Sequence, residues 1–78
     1  MNDSILRQQI RNRLIECRIE SGKTQKEIGA VVGKSPNAVA SWEQGLSLPD
    51  IETLYRLSKY YEKTLQFMYG LEEKENDD

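Results

Sequence analysis

The 78-residue chain contains no histidine, one cysteine and two prolines. Without histidine it lacks the commonest metal ligand and the commonest acid–base catalyst at neutral pH. A single cysteine permits neither an internal disulfide nor a cysteine-rich zinc site. No stretch approaches the roughly 18 consecutive apolar residues that a membrane span requires. The opening Met1-Asn2-Asp3-Ser4 has no basic segment leading into an apolar run, so no secretory signal is expected. Paired carboxylates and glycine-rich phosphate loops are missing too, and Ser41 and Ser47 have no histidine to activate them. These absences lead to the expectation of a cytoplasmic protein that is not an enzyme and uses no cofactor, metal or membrane.

Net charge is also slight, at −2. Its distribution matters more than its sum. Residues 1–23 carry +2, residues 24–69 balance to zero, and residues 70–78 carry −4. Setting the last segment aside leaves a body with its basic excess near the N-terminus, which is compatible with a nucleic-acid partner.

What is present reads as short helices separated by caps. Leu6, Ile10, Leu14 and Cys17 recur at spacings of four, four and three, the pattern of one buried helical face. Gly22 fits a left-handed stop. Thr24-Gln25-Lys26-Glu27 has the form of a capping box. Gly33 ends that short helix, and Ser35-Pro36 opens the next with a capping hydroxyl and a proline at the first helical position. Gly45 closes it. Asp50 is a candidate N-cap for a fourth helix with Ile51, Leu54, Leu57 and Tyr61 on one face, and Thr64 opens a last turn or two stopped by Gly70. The expected fold is all-α, with five short helices. Residues 1–71 form one domain in this reading, and the apolar-free segment 72–78 is an acidic disordered tail.

Gln25 to Gln44 is the informative stretch. Gly33 supplies the positive φ that a tight helix–helix turn demands. Gly29 costs roughly 1 kcal/mol relative to alanine inside a helix, which implies a packing reason, such as another helix passing close. On the third helix, a rotation of 100° per residue groups Asn37, Ala40, Ser41 and Gln44 into one small-polar stripe, with Ala38, Val39 and Trp42 behind it and Glu43 at the boundary. Taken alone, such a stripe is most often a solvated face. An amide-and-hydroxyl front on an apolar back also suits a helix that lies in the major groove.

The run Thr24-Gln25-x-x-Ile28-Gly29-x-x-x-Gly33-x-Ser35-x-x-x-Val39-x-x-Trp42-Glu43-x-Gly45, followed by Pro49, resembles the Cro/lambda-repressor (XRE-type) helix-turn-helix family. The resemblance covers roughly residues 10–71, with Arg18 and Gly22 before the run and Leu54, Leu57 and Thr64 after it. It implies a five-helix, usually dimeric domain that binds operator DNA and regulates transcription. Position by position, it implies that Ser35, Asn37 and Ser41 reach bases, with Pro36 and Ala38 beside them. Gln25, Lys34 and Gln44 take phosphate-contacting roles, Arg18 and Glu43 form a structural ion pair, and Trp42 is a core residue. The sequence departs from the family at Lys34, where an apolar residue is usual, and at Pro36, where a side chain often contacts DNA. Glu62-Lys63 likewise stands where a glycine and an apolar residue are usual before the last helix.

Cys17 continues the apolar face of the first helix and reads as core. Ile15 and Ile19 lie off that face, as an i, i+4 pair able to meet a protein partner. Leu65, Phe67, Met68, Tyr69 and Leu71 put much apolar surface on a one-to-two-turn helix and are the expected homodimer contact. Two functions are compatible with all this. One is a sequence-specific, double-stranded DNA-binding transcriptional regulator, expected to be a repressor that reads operator half-sites with the third helix in the major groove; the other is an antitoxin- or anti-regulator-like module acting through a protein partner.

Overall fold

The computed structural model describes residues 3–71; the segment 72–78, with the expected tail, lies outside the described residues. Helices form where the caps place them: α1 (Asp3–Ser21), α2 (Gln25–Val32), α3 (Pro36–Glu43), α4 (Ile51–Tyr60) and α5 (Leu65–Met68). Among the described residues there is no strand, and no helix is long and apolar enough to cross a membrane. At the start of α2 the capping box is complete. Glu27 N–H donates to Thr24 Oγ1 at 3.1 Å, and Thr24 N–H donates to Glu27 Oε1 at 2.9 Å. Ser35 Oγ accepts from Ala38 N–H at 3.1 Å and Thr64 Oγ1 from Phe67 N–H at 3.0 Å. Asp50 holds the N-cap position of α4 without a side-chain cap hydrogen bond.

α3 packs against both α1 and α2, while α5 closes the other side against α1 and α4. Ile10, Leu14 and Cys17 of α1 meet Ile28, Val32, Val39, Trp42, Leu54, Leu57, Phe67 and Met68 in one buried cluster. Burial pushes the Cys17 thiol up to about 11, so at neutral pH it stays protonated and unreactive.

Four expectations change. Ile51 is 62% exposed, whereas Leu54 and Leu57 are buried. Thr53 and Ser58 share the buried side, which turns the face away from Ile51. Gly29 is not crossed by another helix. A Cβ there would stand 2.5 Å from the backbone oxygen of Lys34, so the turn leading into α3 is what occupies the space. Phe67 and Met68, expected in the homodimer contact, are instead buried within the monomer, at 6% and 0% exposure. The Arg13 guanidinium also lies 4.3 Å from the Phe67 ring centre and donates from Nε to Phe67 O. Leu65 and Tyr69 are half-buried against the same core, which leaves only Leu71 of that set exposed. The Ile15/Ile19 pair also divides, with Ile19 exposed and Ile15 half-buried.

Glu62 explains the unusual Glu62-Lys63 junction. Its φ is 60°, so a left-handed position is filled by a residue with a Cβ. Such a conformation costs a non-glycine residue roughly 1–2 kcal/mol. Glu62→Gly should therefore raise stability by about 1 kcal/mol. Gly29→Ala should lower it by about 1–3 kcal/mol despite alanine's better helix propensity, because backbone must move. Urea unfolding of both variants checks the opposite signs.

Candidate nucleic-acid interface

α2 and α3 are joined by the turn Gly33-Lys34-Ser35. Gly33 has φ 70°, and Lys34 N–H donates back to Gly29 O at 2.8 Å. This turn swings the chain so that α3 presents Ser35, Pro36, Asn37 and Gln44 to solvent while Val39 and Trp42 are buried. Lys34 is exposed at one end of the helix and Gln44 at the other. Ala38 is half-buried and packed against the core, which takes it out of the outward set. The Ser41 hydroxyl is half-buried and hydrogen-bonded to Ser47 Oγ at 2.7 Å, an arrangement that links α3 to the following loop. Nothing in the spacing of two serines signals that contact, since it depends on how Gly45 turns the chain.

Behind the exposed face sits the Glu43 carboxylate, with a side chain only 8% exposed. Arg18 donates to it twice, from Nε to Oε2 at 2.7 Å and from Nη2 to Oε1 at 2.9 Å. Gln25 Nε2 adds a third hydrogen bond to Oε1 at 3.0 Å. One carboxylate thus ties α1, α2 and α3 together. The bond to Glu43 raises the Arg18 pKa further above its ordinary value. Gln25, expected at the backbone of a nucleic acid, has one amide hydrogen committed to this cluster and retains one N–H and its carbonyl oxygen.

A basic cleft on α1 was not singled out from the sequence. Arg7, Gln8 and Arg11 of α1 line an open cleft of about 280 Å³ with Gln44 and Gly45 at the end of α3. The available signal was two arginines one turn apart on α1, a like-charge pair that an isolated helix disfavours. Among the described residues, no group of three or more histidine, cysteine or acidic side chains is placed to hold a metal.

Removing one partner of a buried ion pair leaves the other uncompensated, typically at 3–5 kcal/mol. Arg18 retains 19% side-chain exposure, so Glu43→Ala should fall near the low end, about 3 kcal/mol. Thermal melts of the free protein check this; a midpoint equal to that of the unaltered chain would show that the pair does not hold α3 in place.

The helix-turn-helix family model matches residues 14–68. The HTH-type transcriptional regulator ImmR of Bacillus subtilis (strain 168) is 33% identical over 61 residues, which cover 78% of this chain and 48% of that protein. The chain thus spans about half the length of the curated relative it matches. No solved structure matches it significantly. The matched residues extend from the middle of α1 to the end of α5 and include both partners of the Arg18–Glu43 pair and the whole α2–turn–α3 unit; the chain belongs to the XRE-type helix-turn-helix family.

Proposed function

We propose that the chain is a sequence-specific, double-stranded DNA-binding transcriptional regulator, a repressor that reads operator half-sites with α3 in the major groove. The observation that carries this reading is the outward side of α3. Exposed Asn37 stands between exposed Lys34 and Gln44, on a helix fixed from behind by Glu43. Asn37 has the bidentate amide that matches adenine, and Ser35 and Ser41 offer hydroxyls that serve several bases. Lys34, Gln44 and the unspent groups of Gln25 suit phosphate oxygens, which position the helix without reading sequence. A repressor needs no more than stable occupancy of its site, and the similarity to a named transcriptional regulator supports a regulatory role.

Exposed Ile19 beside half-buried Ile15, together with a charge of only +2 over residues 1–69, supports a second reading in which the same fold acts through a protein partner. Salt separates the two. Duplex binding through several phosphates weakens steeply as salt rises, whereas a module that acts only through a partner binds no duplex at low salt. On a duplex selected from a random pool, Asn37→Ala should cost about 1–3 kcal/mol, concentrated at one base position. Lys34→Ala should weaken all duplexes alike and flatten the salt dependence. A base preference untouched by Asn37→Ala would remove that residue from the readout.

A homodimer belongs to this reading, because a few base pairs per monomer cannot select one site from a genome. Two copies would bind inverted half-sites about 10 base pairs apart. With Phe67 and Met68 inside the monomer, the exposed Leu48 and Ile51 support a contact beside the apolar groove that they line with Leu6, Pro49 and Tyr69. Ile51→Asp should leave the melting temperature nearly unchanged and shift sedimentation on a palindromic duplex from two copies per site towards one. Retention of two copies would move the contact elsewhere.

A further inference from the structure

We propose that the cleft between the N-terminal half of α1 and the C-terminal end of α3 is a docking position for a DNA-backbone phosphate, with Arg7 and Arg11 as its cations. The proposal rests on the DNA-binding reading and adds to it a site on α1, outside the two-helix unit. Arg11 is already oriented. Its Nε donates to Glu43 O at 3.0 Å and its Nη1 to Asn12 Oδ1 at 3.0 Å. Its side chain also runs over Gly45, where an added Cβ would lie 3.4 Å from Arg11 Cδ. A guanidinium has five N–H donors, and these two bonds leave three for a ligand. Among the side chains that the structure describes, neither Arg7 nor Arg11 is in a salt bridge with a carboxylate.

Capping the end of α3 accounts for the Nε bond of Arg11, because cations favour helix C-termini. It does not account for Arg7. Arg7 is exposed and lines the same cleft one turn away, so the two arginines place like charge on one wall, which a bound anion would offset. The Glu43 carbonyl would itself repel an anion, but Arg11 already occupies it. Gln44, the last member of the outward stripe, forms the opposite wall. It lies seven residues beyond Asn37, about 10 Å along the helix. A major groove is about 12 Å wide, so a helix seated in it has phosphates within reach of its far end. Lys34 at the start of α3 and the arginine cleft at its finish then bracket the reading surface. A phosphodiester fits this open, polar cleft, and its contact carries no sequence preference.

The test uses the full chain and a 30-base-pair mixed-sequence duplex, with affinity measured across a salt series and thermal melts run in parallel. Arg7→Ala should weaken binding at least threefold and lower the salt slope by about one, with an unchanged melting temperature. Lys59→Ala removes an equal charge at the end of α4 and serves as the control; it should move neither quantity to that extent. Arg11→Lys should also weaken binding, since an ammonium cannot span Glu43 O and a phosphate as a guanidinium does. If Arg7→Ala matches Lys59→Ala in affinity and slope while the unaltered chain binds duplex, the arginine cleft is not a phosphate site and the DNA-binding reading stands. If the unaltered chain binds no duplex at low salt, both fall.

Discussion

The position of α3 depends on the Glu43 carboxylate. A buried ion pair recovers its desolvation only when geometry is good and the remaining lone pairs are satisfied. Here two Arg18 donors and one Gln25 donor converge on a single carboxylate. Because they come from α1 and α2, the pitch of α3 is set by side chains from two other helices and not by the connecting turns alone. Trp42, the residue before Glu43, adds apolar packing against the same core. The side of α3 that faces solvent is therefore relieved of most structural duty, the exceptions being the capping bond of Ser35 and the hydroxyl contact of Ser41.

Much of the fold was legible because its signals are local. A cap is written within four residues, so Thr24, Ser35 and Thr64 mark their helices without knowledge of the core. The long α1 gave three repeats of its apolar face, which is enough to fix its direction. α5 was harder. A single turn has no period to read, and apolar residues that seemed too many for one face are taken inward by α1 and α4, with Arg13 over Phe67. Ile51 failed for a related reason. At the first turn of α4 an apolar residue fits a helical period whether or not anything lies opposite it.

At the candidate site, residue type was more legible than residue commitment. Asn37 and Gln44 are exposed on one stripe as the periodicity implied. The Ser41–Ser47 bond, the Gln25–Glu43 bond and the path of Arg11 over Gly45 join residues 6, 18 and 34 positions apart, and only tertiary packing brings them together. Charge totals likewise located a basic excess in residues 1–23 without saying which arginines face α3. Arg13 and Arg18 turn to the interior, towards Phe67 and Glu43, and Arg7 and Arg11 line the cleft.

From Pro36 to Ser41 the outward side of α3 carries nothing longer than the side chain of Asn37. Long side chains adjust to a poor fit by changing rotamer; proline, alanine and serine have almost no such latitude. Whatever this surface meets must come nearly to the helix backbone, and any projecting group that does not fit is met as a collision. The methyl group of thymine is a projection of that kind on the floor of a major groove. In the proposed DNA-binding role, selectivity along this surface would come as much from steric refusal as from attraction, with the compactness of Ala40 and Ser41 setting how close an approach is allowed.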